Sequence, residues 1–155
     1  MREPDKVILF ERNELDPVLA TMNELARSSR GWINFHPEVR AEDLPPPRSM
    51  IGRVFSARGP LVPVGTWVPG NGSQPASLGV QHGLGGRAES RIIACGIRGP
   101  SSWRLLQDNP RRGLVVELPA DEALDTVLGW LLAVMACVTD RQLTGEWRAL
   151  VYRTA

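Results

Sequence analysis

The segment from Asp121 to about Arg141 constrains the fold most, because it reads as a helix that is apolar on nearly every side. It begins two residues past Pro119, where a helix start is favoured. A helix with so little polar face has to be covered on more than one side. Its longest apolar stretch, Ala123 to Val138, is broken by Asp125, Thr126 and Gly129 and is too short to span a bilayer. Asp125, Gly129, Ala133 and Ala136 fall on one face, which is narrow and nearly flat. Small residues in such a row permit close backbone approach, either to the domain's own sheet or to a second copy of this helix in a homodimer.

A second helix is expected over residues 16 to 30. Asp16 is placed to cap it, Pro17 suits the first helical position, and Val18, Leu19, Met22, Leu25 and Ala26 form one apolar stripe. Arg27 and Arg30 complement the carbonyl end, and Gly31 is placed to stop it. Between the helices lies a region rich in glycine and proline. After a short strand at Trp32 to Phe35, Pro45, Pro46 and Pro47 make a stiff connector. Strands are then expected at Ile51 to Phe55, Leu61 to Val68, Leu78 to Gln81, Ile92 to Ile97, Trp103 to Leu106 and Leu114 to Leu118. Arg58-Gly59-Pro60 would turn the first pair and Asp108 to Gly113 would join the last as a hairpin, while Gly70 to Ser77 reads as a mobile surface loop. Trp147 to Tyr152 is a final strand in which Trp147, Ala149 and Val151 share a face. Two helices flanking a strand-rich middle do not alternate as in a doubly wound sheet. The expected fold is α+β: an antiparallel or mixed sheet with both helices mainly on one face, as one compact domain over residues 1–155.

The N-terminal Met1-Arg2-Glu3-Pro4-Asp5-Lys6 is charged, with only Val7 to Phe10 apolar before Glu11, so it does not read as a signal peptide. Cys95 and Cys137 sit among apolar neighbours, and two buried, reduced thiols are expected ahead of a single disulfide. A cytoplasmic protein with no membrane segment follows. The net charge of +1 conceals segregation: residues 1–47 carry six basic and nine acidic side chains, residues 48–112 nine and two, and residues 113–155 three and six. A middle segment at +7 between flanks at −3 each makes an electropositive face that attracts anions, unless the helices fold back to neutralise it. Lys6 is the sole lysine, so the arginine bias alone does not signal nucleic-acid binding.

Candidate chemistry is sparse. His82 lies in the densest glycine cluster, Gly79 to Arg87, where backbone amides could cradle an anion and Arg87 could clamp it; a flexible turn with a surface histidine is the plainer reading. The cluster lacks both the Walker ending and the dinucleotide fingerprint. His36, before Pro37 and near Glu38, is the only other histidine, and without paired cysteines or H-E-x-x-H no metal site is expected. Cys95, or Ser101 and Ser102, could act as a nucleophile with His82 as base and Asp108 as orienter, although no elbow motif brings them together. Trp67 and Trp103 lie in the basic middle, where with Arg53, Arg58, Arg98 and Arg104 they form either a stacking platform or ordinary strand packing under arginine stems. Trp130 and Trp147 read as core. Arg111 and Arg112, in the hairpin turn, are the most exposed-looking basic pair.

These features point first to a non-catalytic module that binds a protein partner or a small anionic ligand through the basic middle, without a cofactor and as a homodimer. A small hydrolase or transferase acting on an anionic substrate around His82 is the alternative. Nucleic-acid binding comes third, because the overall charge is balanced and no nucleic-acid module is visible.

Overall fold

The computed structural model describes residues 2–39, 60 and 62–155. Its elements run β1 (Lys6–Glu11), α1 (Asp16–Ser28), β2 (Trp32–Val39), β3 (Val64–Val68), β4 (Ser77–Gln81), α2 (Glu89–Ala94), β5 (Arg104–Asn109), β6 (Gly113–Glu117), α3 (Leu124–Cys137) and β7 (Leu143–Tyr152). The fold is α+β. Seven strands form one sheet in the order β1-β7-β2-β3-β4-β6-β5, and every neighbouring pair is antiparallel.

Alternation along the strands sends Phe10, Ile33, Phe35, Trp67, Leu78, Val80, Ala149 and Val151 to one buried face. On that face α1 packs beside α3 and α3 beside α2, which completes a second layer. α3 buries Val127, Leu128, Leu131, Leu132, Val134 and Met135, and Gly65 on β3 gives it a seat. A Cβ at Gly65 would lie 2.5 Å from Met135 Sδ and 3.0 Å from a Leu131 methyl. The small residues of α3 itself do not make this approach: Gly129, Ala133 and Ala136 are half-exposed, and a Cβ at Gly129 would meet nothing within 4 Å.

Several boundaries differ from the sequence expectation for identifiable reasons. The run Ile92 to Ile97 is not a strand but the helix α2 and the turn after it, because the Asp108 carboxylate on β5 accepts the N–H of Ala88 (2.8 Å) and of Glu89 (3.0 Å). That cap comes from twenty residues away, where local propensity cannot register it. The four apolar residues Val7 to Phe10 belong to β1, whose partner β7 comes from the far end of the chain. α1 starts without a side-chain cap and ends at Ser28, with Ser29 rather than Gly31 in the left-handed conformation that closes it. α3 is shorter than expected at both ends, and β7 starts earlier, at Leu143. The 70–77 segment is a folded turn in which Asn71 Oδ1 accepts the N–H groups of Ser73 (2.8 Å) and Gln74 (2.9 Å). The expected proline connector, the strand at Ile51 to Phe55 and the Arg58-Gly59 part of its turn lie outside the described residues.

The cysteines are the clearest correction. Cys95, at the end of α2, is exposed and Cys137, at the end of α3, is half-buried; the two form a disulfide with 6.4 Å between Cα atoms. Read alone, the apolar neighbours of each cysteine suggested burial. Met135 and Val134 point into the core, but Ile93 and Ala94 point outward with Cys95.

Candidate functional site

The candidate site lies at the β5 edge of the sheet. Among the described residues β5 pairs only with β6, and its register shifts between Leu105 and Gln107, which places Leu106 in an irregularity and leaves it 49% exposed. Between this edge and α2 lies an apolar groove of about 500 Å³. Ile92, Ile93 and Ile97 form one wall, Trp103, Leu105 and Trp130 the other, and Leu114 and Val116 contribute from β6. Ile93 is 63% and Leu105 46% exposed, a costly arrangement for side chains of this kind if nothing covers them. The tryptophans are fixed. Trp103 donates from Nε1 to Glu122 Oε2 at 2.8 Å and meets Trp130 edge-to-face at 5.2 Å between ring centroids.

Charge is distributed unevenly about this groove. Arg87, Arg98, Arg104, Arg111 and Arg112 are all exposed on the segments that build or adjoin the β5 edge. Among the described residues Arg87, Arg98, Arg104 and Arg112 make no ion pair. The opposite edge, built from β1, α1 and β7, carries Glu3, Asp5, Glu11, Glu14, Asp16, Glu24 and Glu146. Three of its arginines are paired: Arg2 with Asp5, Arg153 with Glu24 and Arg148 with Glu38. The β5 edge therefore keeps the basic character of the middle segment, whereas the opposite edge is balanced, its carboxylates matched by Arg2, Lys6, Arg12, Arg27, Arg30, Arg148 and Arg153.

The remaining sequence candidates fall elsewhere. Trp67 is 1% exposed at the centre of the sheet and presents no face for stacking. Trp147 is core as expected, whereas Trp130 is only half-buried. Arg111 and Arg112 lie in the β5–β6 turn, where Asn109 Oδ1 accepts both of their backbone N–H groups. Cys95 has no thiol to offer as a nucleophile, and Ser101 and Ser102 sit in an exposed turn. His36 lies on the sheet face away from the helices, and burial holds its pKa below the ordinary value, helped by Arg148 and opposed by Glu38. Among the described residues no group of three His, Cys, Asp or Glu side chains converges to hold a metal.

His82 is not the surface histidine of a flexible turn; it is fully buried. Its Nδ1 accepts the Leu84 N–H at 3.3 Å, which puts the proton of the neutral ring on Nε2, and Nε2 has no partner among the described residues. Burial lowers its pKa, with the Asp108 carboxylate opposing. Charging the ring would take away the acceptor that Leu84 uses and leave a cation in the core. Because the folded pKa lies below the unfolded value near 6.5, the unfolded chain binds the extra proton first. Stability is therefore full above that pH and falls as the solution is acidified through it. Melting curves between pH 7.5 and 5 should show a steeper decline for the wild type than for His82→Gln, and equal slopes would mean that His82 carries none of the effect.

Two further clefts fit an anionic ligand less well. One of about 500 Å³ lies between the end of α1, the β3–β4 turn and the approach to α3; it holds Asp121 and Glu122 and no lysine or arginine. The other, of about 440 Å³, is lined by Glu11, Glu14, Glu38 and Glu146. Among the described residues no helix is long and apolar enough to cross a membrane. Comparison with known proteins finds no matching family model, no matching curated protein and no matching solved structure. The apolar wall of the groove was missed in the sequence because Ile92 to Ile97 reads as a strand. The adjacent isoleucines at 92 and 93 carry no signal that separates the two readings, since neighbours point in different directions on a strand as well as on a helix.

Proposed function

We propose that the protein is a non-catalytic binding module whose partner is a protein segment with an apolar anchor flanked by carboxylates. The observation that carries this reading is the exposed apolar groove beside a strand edge, where among the described residues the edge is unpaired and the bordering Arg98 and Arg104 have no ion partners. Apolar side chains entering between Ile93 and Leu105 would supply the affinity, and Arg98 and Arg104 would favour acidic flanks. The free edge of β5 offers backbone groups to an extended segment. A substrate-binding role around His82 is less favoured, since a fully buried ring cannot reach a ligand.

The test is selection of a displayed random peptide library on the intact protein, with measured affinities for the enriched peptides. Enrichment of aliphatic or aromatic residues flanked by Asp or Glu is expected. Ile93→Glu or Leu105→Glu should weaken binding by about tenfold or more, the scale of losing one buried aliphatic contact. Arg98→Glu with Arg104→Glu should weaken it further at low salt than at high salt. Peptides that bind all of these variants as tightly as the wild type would overturn the assignment.

A further inference from the structure

We propose that the Cys95–Cys137 bond is a thiol–disulfide exchange site whose state sets the shape of the groove. For its effect on binding, though not for the exchange itself, this rests on the docking reading above. The argument begins with how α2 is held. A helix of six residues does not sustain itself, so it depends on ties to the rest of the molecule. At its start the tie is Asp108, which accepts the N–H groups of Ala88 and Glu89. At its end the covalent tie is the disulfide to the last residue of α3. The polar links at that end are weak, an exposed Arg91–Asp140 pair at 3.8 Å and an Arg91 Nε donation to the Cys137 carbonyl at 3.3 Å, and the apolar ties are Ile92, buried in the core, and half-buried Ile97. Ile92, Ile93 and Ile97, which flank Cys95, form one wall of the groove. Breaking the bond frees the end of that wall and leaves its start in place.

The bond is also open to attack. Cys95 is exposed and Cys137 is half-buried, so an incoming thiolate reaches Sγ of Cys95 first. Arg91 and Arg98, four residues before and three after Cys95, are exposed cations that favour an anionic attacking group. In the first step a thiolate forms a bond to Cys95 Sγ, the disulfide breaks, and Cys137 leaves as a thiolate. In the second step another thiol of the same class attacks the mixed disulfide and releases Cys95 as a thiolate. The two external thiols are oxidised to one disulfide and supply the two electrons that reduce the protein bond; protons taken up from water complete the two cysteine thiols.

The experiment compares oxidised protein with protein reduced by dithiothreitol, using amide hydrogen exchange at neutral pH, and maps the adduct formed when oxidised protein meets limiting glutathione. Reduction should speed exchange in residues 89–98 by about tenfold or more while β2, β3 and β7 stay protected. The glutathione adduct should be on Cys95. Two free thiols in protein isolated without reductant, unchanged exchange in 89–98, loss of protection across the whole sheet, or an adduct on Cys137 would each overturn the proposal. Affinity for a groove-selected peptide is then measured in both states. A change of several-fold upholds both readings, whereas faster exchange at constant affinity upholds the switch and counts against docking in the groove.

Discussion

Gly31→Ala is expected to cost about 4 kcal/mol, a large loss for the addition of one methyl group. Gly31 adopts φ +93°, a conformation that side chains avoid, and a Cβ there would run into the carbonyl oxygen of Tyr152, which is backbone and cannot rotate away. The clash falls where β2 begins alongside the end of β7, with Trp32 opposite Tyr152 and their rings stacked at 5.0 Å. Relief would require prising apart the first pairs of the central ladder. Gly145 separates the two contributions, because it has the same φ of +93° but nothing within 4 Å of its Cβ position. Gly145→Ala should therefore lose only the conformational part, about 1 kcal/mol. Urea unfolding of both variants measures the difference, and equal losses would show that the Tyr152 contact is not what Gly31 accommodates.

Trp67→Ala is expected to lose about 3–5 kcal/mol, the range for removing a large aromatic side chain from a packed interior. The indole lies between Ile33 on β2 and Leu78 on β4 in the sheet register and is almost wholly enclosed. Its Nε1 is also buried without an acceptor among the described residues, a standing cost that the wild type bears. Trp67→Phe should for that reason lose much less than its smaller volume implies, since it removes the orphaned donor along with part of the ring. Chemical denaturation of the two variants tests this. A loss under about 1 kcal/mol for Trp67→Ala would mean that the ring is not central to the core.

Much of the architecture could be read from the residues. The stripe of Val18, Met22 and Leu25, the all-round apolarity of the segment around Leu131, and the alternation of Trp147, Ala149 and Val151 each reflect a local period, and each emerged as the element that period implies. What was not readable depends on partners distant in sequence. Val7 to Phe10 is too short a run to declare itself a strand without β7. Ile92 to Ile97 carries strand-like residues but is made a helix and turn by Asp108 and by Cys137. The candidate site was half legible. Its arginines and Trp103 were visible as a basic, aromatic-bearing middle, while its apolar wall was hidden by the misread of α2. Trp67 illustrates the converse: its place among arginines along the chain says nothing of which sheet face it occupies, and alternation put it inside.

The position of β7 has a consequence for how the chain is made. This strand is inserted between β1 and β2, although both of those precede it by more than a hundred residues. As the polypeptide emerges from the ribosome, β1 and β2 have no strand to hydrogen-bond between them until residues 143 to 152 appear. Strands β3 to β6 and their helices can associate earlier, through hairpins and near neighbours. Synthesis therefore passes through a stage in which one half of the sheet awaits the strand between β1 and β2, with Ile8, Phe10, Ile33 and Phe35 still lacking Trp147, Ala149 and Val151 beside them. Pairings so remote in sequence form slowly, and a ribosome stalled before residue 143 would present a sticky nascent chain of the kind that chaperones capture.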